Sequence, residues 1–200
     1  MLFRSAFGVE DFDSTHAAKA IAQFIRTMIS GSSKFDVMYK IENNKPLIAS
    51  EQSVIIDPEE WAGYDLFKSL NGADCFHCHN GPLMRVAKFS NNGLDDFFTD
   101  LGRGAVTNNA NDNGKFKVPT LRNIALSAPY MHDGRFKNLD ELIEHYSSGI
   151  HISPTIDPLI EFSGQGGVQL DAQEKYLLKK FLLTLTDYSF INNPAFQDPN

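Results

Sequence analysis

The sequence predicts an all-α fold: short helices joined by long loops around a small apolar core whose middle is filled by something other than side chains. Three observations carry this. Apolar residues recur at helical spacing in several capped segments. No stretch shows the two-residue alternation of a strand. The run from 80 to 118 is dense in Gly, Asn and Asp, as in "FSNNGLDD" and "TNNANDNGK", and reads mostly as loop. Loops this long in a compact domain are often functional or wrapped around a ligand.

Taken in order, "DSTHAAKAIAQFIRTMISG" reads as a helix with Ser14 or Thr15 at its start. Ile21, Phe24, Ile25 and Met28 recur along one face, and Gly31 ends it. Residues 32–57 are mixed, carry "NNKP" and read as a long surface connection. "DPEEWAGYDLFKSLNG" is a second helix, with Asp57 as cap, Pro58 in the first turn, Glu59 and Glu60 suited to the N-terminus, and Gly72 as the stop. "PTLRNIALSAP" is a helical turn between prolines. "NLDELIEHYSSG" is a helix capped by Asn138 and closed by Gly149. "LDAQEKYLLKKFLLTLTD" is the last helix, with Leu177, Leu178, Phe181, Leu182 and Leu185 on one face.

Composition narrows the function classes. The 200 residues are 42% hydrophobic, enough for a packed core, and the net charge of −7 comes with no block of Lys or Arg, so nucleic acid and anionic membranes are disfavoured as partners. No apolar run approaches the ~20 residues of a membrane helix.

Both cysteines and two of the six histidines fall in "ADCFHCHNG". A disulfide between Cys75 and Cys78 stays open, while a thioredoxin-type redox pair would call for a βαβ context, which is missing. Zinc calls for about four ligands. Cys75, Cys78 and one of His77 or His79 give three at most, and His16, His132, His145 and His151 show no ligand spacing to one another. A c-type haem uses every part: two thiols form thioethers to the vinyl groups and His79 becomes the proximal iron ligand, with His77 as spacer. Such attachment implies export. "MLFRSAFGVEDFD" has no signal-peptide apolar core, so an export signal is expected upstream and a periplasmic location with it.

For the other face of the iron the candidates are Met84, Met131, His132, His145 and Tyr146. Leu139, Leu142, Ile143 and Tyr146 form one apolar stripe, while Glu141 and His145 share the polar face. Tyr146 is therefore expected to point inward and His145 outward. On the residues alone Tyr146 reads first as a core aromatic, Met131 as core packing, His132 as a turn-stabilising hydrogen-bonder and Met84 as easily a gap-filler.

"ADCFHCHNGPL", followed by "FKVPTLRNIALSAPYMHDGRFKNLDELIEHY", resembles the bacterial di-haem cytochrome c peroxidase and MauG superfamily, in its C-terminal half. The opening "LFRSAFG" and "AAKAIAQFIRTMISGSSKFD" resemble the segment that joins the two halves. The resemblance implies residues 1–50 as that connecting segment and 51–200 as a cytochrome c-like helical domain with long loops wrapped around one covalently bound haem. Cys75 and Cys78 match the thioether positions, His79 the proximal ligand and Tyr146 the distal ligand, a Tyr in MauG and a Met in the peroxidases. Ser127 and Pro129 match positions whose backbone carbonyls bind calcium between the halves. MauG's Trp before the first Cys is here Ala73, and Trp61 is the sole tryptophan.

The resemblance implies an electron-transfer haem half of a peroxidase-like oxidoreductase. Its partners would be the missing N-terminal haem half, hydrogen peroxide in the complete enzyme, and an electron-donor protein or small cytochrome. The alternatives are a MauG-like enzyme that oxidises a substrate through a His/Tyr-ligated haem, and a stand-alone mono-haem electron carrier.

Overall fold

The computed structural model describes residues 2–197. By its internal contacts the chain divides into two compact units, residues 1–32 with 187–200, and residues 33–186.

The first unit holds α1 (Leu2–Phe7) and α2 (Ser14–Thr27). The cap of α2 is Asp13, one residue before the expected Ser14 or Thr15. Its carboxylate accepts from the backbone N–H of Thr15 and His16 at 2.9 and 3.2 Å, as an N-cap does. The helix ends at Thr27 rather than at Gly31. Asp187 closes this unit, accepting from Gly31 and Ser32 N–H at 2.8 and 2.9 Å and from the Ser30 hydroxyl at 3.1 Å.

In the second unit, residues 32–57 are not the surface connection the sequence suggested. They contain α3 (Lys34–Glu42) and the one-turn α4 (Ala49–Gln52). Ser33 and Asp36 form a capping box, and Phe35, Val37 and Met38 are buried. Three apolar residues within four positions hid a helix that is covered on more than one side. Helix α5 (Pro58–Lys68) begins on Asp57 as expected but stops at Lys68, before Gly72.

The long loop is fastened rather than loose. Strands β1 (Phe89–Ser90) and β2 (Phe116–Lys117) pair antiparallel, with Ser90 opposite Phe116, a small ladder the sequence did not announce. The buried Asn91 donates to Ser153 and Thr155 hydroxyls at 2.8 and 3.0 Å, and Asp157 accepts from Ser90 and Lys88 at 2.6 and 2.7 Å. A one-turn α6 (Arg103–Thr107) lies between the strands. Residues 124–126 form a 3-10 turn, as the proline-bounded segment predicted.

Helices α7 (Leu139–Ser148) and α8 (Ala172–Leu183) match their sequence segments, with Asn138 and Asp171 as caps and Gly149 closing α7. A one-turn α9 (Tyr188–Ile191) follows in the first unit. Helices α5 and α8 cross so closely at Gly63 that a Cβ there would lie 2.0 Å from the Leu177 carbonyl oxygen. Beside that crossing Tyr64 and Phe67 each meet Phe181 with ring centroids 4.9 Å apart, and Phe181 is fully buried. Arg122 ties α3 to the loop after the cysteines: it grips Asp36 through both terminal nitrogens, at 3.0 and 2.5 Å, and donates to the Pro82 carbonyl at 2.6 Å. No helix among the described residues is long and apolar enough to cross a membrane.

Candidate functional site

The segment after α5 folds back on it at once. Ala73 N–H bonds to the Leu66 carbonyl and Cys75 N–H to the Phe67 carbonyl, at 3.0 and 3.1 Å. Cys78 and His79 N–H groups then both reach the Cys75 carbonyl, at 3.3 and 3.0 Å, closing one helical turn that puts Cys75, Cys78 and His79 on a common side. All three line a cavity of about 450 Å³. Its walls are largely apolar and come from α5, the loop, α7 and α8: Phe67, Val118, Ile124, Ile143, Leu178 and Leu182. This is the space that the small predicted core left over.

Tyr146 reaches the same cavity from α7. The inward direction expected for it is observed. The outward direction expected for His145 is not: His145 is 5% exposed, with its ring 5.5 Å from Phe136 and its Nε2 3.4 Å from the Asn92 carbonyl. The loop at 92 lies over that side of α7 and covers a face that a lone helix would expose. Met131 and His132 also line the cavity. Met131 is not simple core packing, since its thioether accepts from the Asn92 amide at 3.3 Å. His132 stacks on Phe116, centroids 3.7 Å apart. Met84 is buried in the core and is absent from the cavity wall, the gap-filling position expected for it. Its carbonyl lies 3.2 Å from His79 Nδ1. His77 pairs with Asp74 at 2.9 Å. Ser127 and Pro129 border the cavity as exposed residues.

The electrostatics follow from burial. Burial pushes the Cys75 thiol up to about 12, and Asp74 and Cys78 add to the rise. Cys78 is also raised by burial, against a pull from Lys88. Thiols shifted this way are protonated at neutral pH, the opposite of a reactive redox thiolate. Among the described residues no group of three or more His, Cys, Asp or Glu is placed to hold a metal ion by itself. Burial lowers His79 to about 4, against the Met84 and Pro119 carbonyls, so the ring is neutral. With Nδ1–H donating to Met84, Nε2 keeps the lone pair that iron needs. Burial raises Tyr146 to about 12. The Asn92 hydrogen bond opposes that rise, and Cys75 and Cys78 add to it from across the cavity.

These residues fit a c-type haem. The cavity is largely apolar, two thiols stand at its wall, and a neutral imidazole is held by its Nδ1. Sequence reasoning missed Asn92, which lies in a Gly- and Asn-rich run with no motif, and the wall residues Phe116 and Val118.

The family model described as di-haem cytochrome c peroxidase matches residues 1–44. The chain is 35% identical over 146 residues to the cytochrome c551 peroxidase of Nitrosomonas europaea, covering 71% of this chain and 40% of that one. It is 32% identical over 149 residues to the methylamine utilization protein MauG of Methylophilus methylotrophus, covering 74% of this chain and 41% of that one. A solved MauG-like protein associated with microbial copper homeostasis superposes with a TM-score of 0.80 at 31% identity, over 98% of this chain and 61% of that one. The chain thus spans about two fifths of each of these curated relatives and 61% of the solved protein. Sequence, fold and a cavity that joins C-x-x-C-H to an inward tyrosine converge: the chain belongs to the di-haem cytochrome c peroxidase and MauG superfamily of peroxidase-like oxidoreductases, whose cofactor is c-type haem.

Proposed function

We propose that this chain is the C-terminal, electron-transfer haem half of a di-haem peroxidase-like oxidoreductase. Cys75 and Cys78 would attach one haem by thioethers, and His79 and Tyr146 would ligate its iron. The observation that carries this reading is that all four side chains line a single apolar cavity of about 450 Å³. Residues 1–50 are read as the segment that joins the two halves.

When bound, the haem supplies a one-electron centre. The chain's own residues set its character. The Met84 carbonyl orients the His79 ring and raises its basicity. As an iron ligand the Tyr146 oxygen would favour Fe(III) and lower the potential. The apolar walls would limit water around the iron. In the complete enzyme, hydrogen peroxide would react at the haem of the other half, with electrons drawn from a donor protein or small cytochrome in the periplasm. Calcium would need oxygens beyond the Ser127 and Pro129 carbonyls, since it takes six to eight ligands.

A second reading is favoured by one observation. The inward residue is a tyrosine, as in MauG, so the low-potential centre would stabilise oxidised iron for substrate oxidation rather than pass electrons toward peroxide.

The ferric absorption spectrum of the haem-loaded chain, beside that of Tyr146→Phe, tests the ligand set. A low-spin wild type and a high-spin variant support Tyr146 as sixth ligand. Identical spectra make Tyr146 a wall aromatic and remove the reading.

A further inference from the structure

Asn92 stands where two of the candidate distal ligands meet, Tyr146 and Met131. Its amide nitrogen lies 3.1 Å from the Tyr146 hydroxyl and 3.3 Å from the Met131 sulfur. A thioether only accepts hydrogen bonds, so it is the NH2 side of the amide that faces it, and the two N–H bonds serve one acceptor each. The Tyr146 oxygen therefore accepts a hydrogen bond from Asn92 rather than donating one to it. Its O–H and remaining lone pair are thus left for the cavity that Tyr146 lines.

The position of Asn92 is fixed from both sides. Its carbonyl faces His145 Nε2 at 3.4 Å, the residue beside Tyr146 on α7. Before it, Asn91 is 2% exposed and spends its amide on Ser153 and Thr155, while its carbonyl accepts from Asp157 N–H at 3.0 Å. After it, Gly93 has φ +70°, and a Cβ there would lie 2.6 Å from the Ile150 Cγ2. A side chain on a backbone held this firmly is pre-organised in the way that ligand-orienting residues are. Met131 is held in its turn: its backbone sits at φ +72°, a region that residues other than glycine rarely adopt and keep only where the surroundings hold them there.

We propose that Asn92 is a positioning residue of the haem site, aiming the Tyr146 oxygen at the iron and holding the Met131 thioether off it. This rests on the reading of Tyr146 as distal ligand. Two donors of opposite character border one cavity, an oxygen that favours Fe(III) and a thioether that favours Fe(II), and one amide decides between them.

The test uses the full chain with its covalent haem and reads the ferric absorption and EPR spectra and the reduction potential. Asn92→Leu removes both donors. Asn92→Asp keeps the shape and replaces the donors with an acceptor, so it serves where Asn92→Leu fails to take up haem. Either variant is expected to lose the phenolate signature, wholly or in part, to gain a thioether one, and to shift to a more positive potential. Adding Met131→Leu to either variant should remove the thioether signature. Tyr146→Phe alone should give high-spin iron, because Asn92 still restrains Met131. If both Asn92 variants keep the wild-type spectrum and potential while Tyr146→Phe changes them, the proposal is overturned and the ligand reading stands. If Tyr146→Phe leaves the spectrum unchanged, the ligand reading itself has failed, and the Asn92 proposal with it.

Discussion

Gly63→Ala probes the geometry on which the cavity depends. A Cβ at this position would lie 2.0 Å from the Leu177 carbonyl oxygen, 2.8 Å from its carbon and 2.9 Å from the Phe181 Cβ. The first two atoms are backbone of α8 and cannot rotate aside, so α5 and α8 must part by about 1 Å to bring the closest contact to 3.0 Å. Overpacking of this kind costs about 1–3 kcal/mol, and unyielding backbone puts it at the upper end. Alanine's helix preference over glycine returns about 1 kcal/mol. The net loss is about 2 kcal/mol, which for a chain of this size lowers the Tm by roughly 4–8 °C. Phe67 on α5 and Leu178 and Leu182 on α8 wall the cavity, and Cys75 N–H hangs on the Phe67 carbonyl. Separating the helices therefore also disturbs the iron's surroundings. Thermal unfolding followed by far-UV circular dichroism, with the ferric spectrum recorded on the same haem-loaded sample, reads both effects. A Tm equal to or above wild type would refute the close crossing.

Cys75→Ala should abolish stable covalent attachment, read as loss of haem staining on a denaturing gel; undiminished staining would refute Cys75 as an attachment point. Arg122→Met leaves the Asp36 carboxylate, 13% exposed, without its two-pronged partner and should cost about 3 kcal/mol, while Arg122→Met with Asp36→Asn should cost less than the single change; equal or larger loss in the pair contradicts this. Burial alone would raise Asp187, but hydrogen bonds from Ser189, Ser32, Phe190 and Ser30 outweigh it and hold the carboxyl at about 2. A folded pKa below the unfolded one contributes stability at neutral pH that is lost as pH falls from about 4 toward 2, here about 2 kcal/mol. Asp187→Asn should therefore be less stable than wild type at pH 7, with the gap narrowing by pH 3; a gap independent of pH would contradict the assignment.

What the sequence made legible was local. Asn138 with Gly149, and Asp57 with Pro58, are short-range signals, and the helices they bound stand where they were read. The C-x-x-C-H spacing is also local, and one helical turn suffices to put Cys75, Cys78 and His79 on one side. What stayed hidden depends on partners distant in the chain. Helix α3 has its apolar residues bunched at Phe35, Val37 and Met38 because it is covered on more than one side, so no amphipathic period marks it. The two-residue strands have no pattern to detect and exist only because residues 89–90 and 116–117 meet.

The reading of α7 shows the boundary most sharply. A helical wheel correctly turns Tyr146 inward with Leu139 and Ile143, and assigns His145 to water because Glu141 shares its face. Yet His145 is buried, because the loop at Asn92 covers that face. The same loop delivers the amide that meets Tyr146 and Met131. One long-range contact thus both overturns the wheel at His145 and completes the site at Tyr146. Cys75, Cys78 and His79 could be named from motif and spacing, and Tyr146 from the family resemblance. Asn92, proposed to orient Tyr146, could not be named, because an asparagine in a Gly- and Asn-rich loop carries no signal until the loop is seen to close on α7.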